Sequence, residues 1–324
     1  MEETWQTGLR EAFRDPRDLA ALLGLELGAL PPLPPAGAFP FLVPRPFAAL
    51  MRPGDPRDPL LLQVWPAVSE GSVSEGELSD PVGDGPASLA PGLLRKYSGR
   101  ALVVSTGSCA VHCRYCFRRE FPYETSPPSA WAEQLSRLRA ETSLRECVLS
   151  GGDPLTLTDS VLEGRVRDLS GIGHLSTVRV HTRVPVVLPA RATQGLVHAL
   201  TGTRLRAVVV LHTNHPAELS PDLFRAAAAL RDGGIQILNQ SVLLAGINDS
   251  AEVLEELSLR LWDAGILPYY LHALDPVVGS SRFSVPDDRG RELIGLLRGR
   301  LPGYLVPRLV REVPGADAKT VLAA

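Results

Sequence analysis

Between residues 100 and 275 the chain alternates two apolar rhythms. Short β-branched runs, ALVVS (101–105), ECVLS (146–150), VRVHT (178–182), AVVVLH (207–212), IQILN (235–239) and PYYLHAL (268–274), are nearly continuous in apolar residues. Between and after them lie segments of helical period: SAWAEQLSRLRAE, DSVLEGRVRDLS, RATQGLVHAL, PDLFRAAAALRDG, SAEVLEELSLRLWDAG and DDRGRELIGLLRG. Apolar strands joined by amphipathic helices predict a parallel sheet covered by helices. Six such units, two short of an eightfold barrel, predict an α/β fold built as a partial (β/α)6 barrel. A doubly wound open sheet is the alternative. Both place ligands at the C-terminal ends of the strands.

Upstream the rhythm is lost. Helical pieces such as DPRDLAALLGLEL are interrupted by the proline-rich GALPPLPPAGAFPFLVPRPF and by SEGSVSEGELSDPVGDGPASLAPG, rich in Gly, Ser and acids. The expected organisation is an N-terminal helical and wrapping region (1–97), a barrel (98–300) and a C-terminal segment (301–324).

Composition narrows the function. With 44% hydrophobic and 21% charged residues the chain has ample material for a core. A formal charge of -3, from 33 basic and 36 acidic residues, provides no basic field for nucleic acid or anionic membranes. A small-molecule partner is expected, with no nucleic acid and no membrane. The N-terminus carries charges of both signs and no apolar leader, and no apolar run approaches the ~18 residues of a membrane span, so a cytoplasmic location is expected.

The chemistry concentrates in SCAVHCRYCFRRE, where Cys109, Cys113 and Cys116 form a C-x3-C-x2-C pattern directly after the first strand. Thiolates select zinc or iron-sulfur clusters. Three on one loop suit a [4Fe-4S] cube with one iron left open, and a zinc site that adds His112 is the competing reading. Cys147, inside an apolar strand, reads as a buried hydrophobe. SGGDP, with Gly151, Gly152 and Asp153, follows the second strand, where glycines permit close backbone approach to a ligand.

CAVHCRYC resembles the signature of the radical S-adenosylmethionine enzymes, and the chain as a whole resembles the lysine 2,3-aminomutase family, in particular its short branch that makes β-lysine for elongation factor P. The matching stretches include RDPLLLQVWP, PGLLRKYSGRALVV, LSGGDPL, HTRVPVVLPARAT, LNQSVLLAGIND, PYYLHALD and YLVPRLVREVPGADAKT. The resemblance implies a [4Fe-4S] cluster on Cys109, Cys113 and Cys116, S-adenosylmethionine chelated to the open iron, and Gly151, Gly152 and Asp153 beside its methionine group.

It also implies pyridoxal 5'-phosphate held as an imine on Lys319, with Lys96, Arg100 and Gln240 at its phosphate. Only Lys96 and Lys319 are lysines in this chain. Arg118 would clamp the carboxylate of the lysine substrate, while Asp275 and Glu312 would hold its side-chain ammonium. Two departures stand out: Lys96 replaces an arginine, which loses the bidentate fork, and Glu312 replaces an aspartate. After Lys319 only TVLAA remains, where the stand-alone mutases carry a tail used in assembly, so the shorter branch is favoured. The expected function is that of an isomerase converting L-α-lysine to β-lysine, served by an electron donor and followed by an elongation factor P ligase. An aminomutase for another amino acid and a metal-stabilised binding module are the alternatives.

Overall fold

The computed structural model describes residues 4–35 and 37–324; Met1–Glu3 and Ala36, within the expected N-terminal region, lie outside them. All six expected strands form: β3 (Arg100–Thr106), β4 (Glu146–Gly151), β5 (Thr177–Thr182), β6 (Arg206–His212), β7 (Gln236–Val242) and β8 (Leu267–His272). They pair parallel in chain order. Helices Trp131–Ala140, Asp159–Ser170, Gln194–Thr201, Pro221–Asp232, Ala251–Asp263 and Asp287–Arg300 follow the successive strands. Local chemistry sets their starts. Thr193, Ser220 and Ser250 each accept a hydrogen bond from a first-turn backbone N–H, and Pro221 occupies the first turn of its helix.

Four further strands extend the sheet. β1 (Ser88–Ala90) and β2 (Leu93–Tyr97) form an antiparallel hairpin that pairs with β3. β9 (Arg308–Arg311) runs parallel to β8, and β10 (Thr320–Ala323) folds back on it. The ten strands lie in chain order and the ladder does not close, so the fold is an α/β partial barrel. Its curvature follows from one contact. Tyr97 on β2 and Glu312 beyond β9 are seven strand steps apart; at about 4.8 Å per step a flat sheet would separate them by roughly 34 Å. Tyr97 Oη nevertheless donates to Glu312 Oε1 at 2.6 Å.

One apolar core fills the sheet and its helices and takes in the N-terminal region, with Trp5, Leu19, Phe47 and Trp65 packed among Leu149, Val180 and Val209. A smaller core joins Leu271, Leu293, Leu297 and Leu309 behind the C-terminal hairpin. Among the described residues no helix is long and apolar enough to cross a membrane.

Candidate active site

The cysteine loop leaves the C-terminal end of β3. Cys109, Cys113 and Cys116 are half-buried and line a chamber to which all six central strands contribute. Cys147 is fully buried in β4, paired with Ala101 and Val178, and is not among the chamber's lining residues. Burial, followed by Cys116, Asp153 and Cys113, pushes the Cys109 thiol well above its ordinary range; burial and then Cys113 push Cys116 up to about 11. Sulfurs that repel one another in this way ionise when metal takes the place of their protons. Among the described residues no three Cys, His, Asp or Glu side chains converge as they would on a single ion. A [4Fe-4S] cube takes each thiolate on a different iron, so the donor set fits a cluster better than the zinc alternative. His112 packs against Phe39, their ring centroids 5.4 Å apart.

The SGGDP segment grips this loop from below. Gly152 N donates to Thr106 O and Asp153 N to Ser108 O, both at 2.7 Å. A Cβ on Gly151, whose φ is +118°, would lie 2.7 Å from Thr106 O, and one on Gly152 would lie 2.8 Å from Gly107 C. The glycines therefore let two backbones touch, in addition to lining the chamber. Asp153 Oδ1 accepts from Leu155 N at 3.0 Å and Thr182 Oγ1 at 2.7 Å; Oδ2 accepts from Arg183 N at 2.7 Å and Val184 N at 3.2 Å. This carboxylate fastens the end of β5 to the end of β4, and burial lifts its pKa to about 6 against those bonds.

The β9–β10 hairpin presents Lys319 to the same chamber. Thr320 pairs with Arg311, which sets Lys319 across from Glu312. Lys319 Nζ donates to Glu312 Oε2, and Lys96 Nζ lies 3.7 Å from Oε1. Lys96 also reaches Asp84 Oδ1 at 2.7 Å, and Arg118 Nε donates to Asp84 Oδ2 at 2.9 Å. One ionic chain thus runs Lys319, Glu312, Lys96, Asp84, Arg118. Burial opposes charge on Glu312 and Asp84, but Lys319 and Arg118 respectively lead the cations that outweigh it, and both carboxyls lie below their ordinary pKa.

Asp275, just past β8, faces the same space. Burial raises its pKa to about 7, with Lys319 pulling it down and Glu312 pushing it up. Arg100, its guanidinium 4.4 Å over the Tyr97 ring, and Gln240 on β7 complete a polar wall with Lys96. Two cations and an amide suit a phosphate, and Lys319 supplies an amine in the same chamber. The residues present therefore fit pyridoxal phosphate as well as a cluster.

Every site residue expected from sequence lines this one chamber. Others there were missed. Asp84 lies in an irregular acidic stretch that carries no pattern, whereas His181 and His272 lie near the C-terminal ends of two of the recognised strands and were legible there as polar residues. Their Nε2 atoms have no hydrogen-bond partner among the described residues. Burial first, then Arg179 for His181 and Lys319 for His272, holds both imidazoles neutral. A second cavity of 800 Å³ adjoins the chamber and shares Asp84, Phe117 and Arg118 with it.

A partial α/β barrel with three cysteines after its first parallel strand and a glycine segment after the next is the arrangement expected of a radical S-adenosylmethionine enzyme. The chain is 41% identical over 325 residues to the L-lysine 2,3-aminomutase of Haemophilus influenzae, covering 99% of this chain and 96% of the relative. The Escherichia coli enzyme of the same name is 42% identical over 324 residues, covering 99% and 94%. The chain belongs to the L-lysine 2,3-aminomutase family and is an isomerase. A radical SAM methyltransferase structure from Sphaerobacter thermophilus overlays with a TM-score of 0.47 at 21% identity, covering 68% of each chain. No family model matches the sequence.

Proposed function

We propose that this protein converts L-α-lysine to β-lysine with a [4Fe-4S] cluster, S-adenosylmethionine and pyridoxal phosphate, and that the product goes to a ligase that modifies elongation factor P in the cytoplasm. The observation that carries the reading is a single chamber lined both by three thiols and by a lysine with two carboxylates near it. Bound pyridoxal phosphate supplies an electron sink and a carbonyl for amines.

In this reading Cys109, Cys113 and Cys116 hold the cluster, which needs a one-electron donor, and Gly151, Gly152 and Asp153 shape the edge where S-adenosylmethionine lies. Lys319 offers its amine to the cofactor, while Lys96, Arg100 and Gln240 meet the phosphate. Arg118, whose second nitrogen donates to Ser150 Oγ at 3.1 Å, presents a planar fork to the substrate carboxylate. Asp275 and Glu312 take the side-chain ammonium. A glutamate substrate would bring a carboxylate against these two acids, which favours lysine.

Anaerobic incubation of the reconstituted protein with a panel of amino acids, with product isomers resolved by chromatography, tests the reaction. β-Lysine from lysine alone is expected, and formation of a different β-amino acid in its place would overturn the substrate. The later fate of the product is tested by the intact mass of elongation factor P from cells lacking this protein. A persisting β-lysyl mass would remove the proposed pathway.

A further inference from the structure

Against the cysteine loop lies a buried polar cluster built on Arg183 and Glu218, to which the reading above assigns no role. Arg183 follows β5, and its side chain and that of Glu218 are 6% and 0% exposed. Its Nη2 donates to Glu218 Oε2 at 3.0 Å and to Gln63 Oε1 at 2.6 Å; its Nη1 donates to Tyr115 Oη at 2.7 Å and to Cys113 Sγ at 2.8 Å. Glu218 Oε1 is fixed in turn by Asn214 N at 2.9 Å, His215 N at 3.0 Å and Gln63 Nε2 at 3.1 Å. Burial opposes the arginine's charge, but Cys113, Tyr115 and Glu218 outweigh it.

The orientation is informative. Glu218 meets one edge of the guanidinium and the sulfur meets the other, so the ion pair forms a fixed dipole with its positive end on Cys113. Burying a cation costs several kcal/mol unless a counter-ion and hydrogen bonds offset it. Glu218 and Gln63 already meet that requirement, and the contact with sulfur is additional to it.

We infer that Arg183 tunes the reduction potential of the cluster by donating a charge-assisted hydrogen bond to Cys113 Sγ. Hydrogen bonds to cysteine sulfur and local charge are principal levers on cluster potential. When a one-electron donor reduces the cluster, the cluster gains one negative charge and no atom moves. A cationic donor fixed at a ligand sulfur stabilises that added charge and raises the potential. Arg183 acts through Cys113 and is a positioning residue. This rests on the reading that Cys113 ligates the cluster.

The test is a redox titration of the full, cluster-loaded chain, monitored by the spin signal of the reduced cluster, for wild type, Arg183→Gln, Arg183→Lys and Glu218→Gln. Arg183→Gln is expected to lower the midpoint by about 59 mV, a tenfold change in a one-electron equilibrium. Arg183→Lys, which keeps the charge and loses the fork, should lower it less. Glu218→Gln removes the countercharge and should raise it. Mere loosening of the site would not give opposite signs at Arg183 and Glu218.

An unchanged midpoint in loaded Arg183→Gln, or a fall in Glu218→Gln, overturns the tuning role. Should Arg183→Gln fail to fold, the signs in Arg183→Lys and Glu218→Gln decide in the same way. Cluster retained in full by Cys113→Ala would instead overturn the ligand assignment, so the two failures are distinguishable.

Discussion

Tyr97 and Glu312 stand on opposite lips of the sheet, and the hydrogen bond between them, 2.6 Å from Tyr97 Oη to Glu312 Oε1, closes a ring that the backbone ladder leaves open. Glu312 spends its other oxygen on Lys319. The bond that links the two edges of the sheet therefore also positions the Lys319 amine.

Tyr97→Phe removes that bond while keeping the ring. A hydrogen bond to a charged group contributes about 1.5–3 kcal/mol, and a loss of that order is expected in urea denaturation. Amide exchange should quicken over residues 308–323. Unchanged exchange there would mean that the lips are held by something else.

Replacing Cys109, Cys113 or Cys116 with Ala is expected to abolish reductive cleavage of S-adenosylmethionine. Cys147→Ala removes only a buried thiol from β4 and should keep iron, sulfide and cleavage near wild type. Loss of the cluster in the Cys147 variant alone would reverse the assignment.

Lys319 is expected to carry the mass added when cofactor-loaded protein is treated with borohydride and digested. Lys319→Ala should lose aminomutation and keep its cluster, since the hairpin and the cysteine loop are separate segments of the chain. A label on Lys96 would refute the assignment.

Asp275 gives a pH dependence with a defined sign. Its carboxyl pKa is about 7 in the fold, against an ordinary 3.8. Only the anion holds an ammonium, so kcat/KM for lysine should rise with pH through about 7, and Asp275→Asn should lower turnover by orders of magnitude and erase that limb. Stability runs the other way. The folded chain binds this proton more tightly than the unfolded chain, so the carboxylate's contribution is most favourable below about pH 4 and is lost as pH rises through about 7. Asp275→Asn should accordingly raise the melting temperature above pH 7 and leave it unchanged near pH 4.

Gly152→Ala places a methyl against the backbone of Gly107 and Ser108. It should weaken cluster retention, read as iron per chain after gel filtration. Gly164→Ala, on a helix with open space at that point, is the control and should be neutral or stabilising by about 1 kcal/mol. Equal retention in both variants would show that the close approach is dispensable.

The barrel's central strands and their helices were legible because their apolar residues follow clean periods; Asp159–Ser170, for example, matches DSVLEGRVRDLS residue for residue. β1, β2, β9 and β10 were not, since LLRKY and RLVR carry charges and are too short for alternation to stand out. The Pro91–Gly92 pair, with Gly92 at φ +70°, was the available sign of the β1–β2 hairpin. The cysteines were legible as a spacing, Gly151, Gly152 and Asp153 as a glycine segment at a strand end, and the remaining site residues through resemblance. Arg183 and Asp84 announce themselves by no spacing, because their roles come from contacts between segments far apart in sequence.

A closed ladder would have fixed the bore of this barrel at a whole number of strands. Here the last step is spanned by a phenol, two carboxylates and two lysine amines, whose reach changes with rotamer. No strand pairing among the described residues crosses this gap, so side-chain contacts alone set its width. Lys96 rides on one jaw and Lys319 on the other, so a phosphate gripped by the first and a carbonyl taken by the second would act as a spacer that sets how far the jaws stand apart.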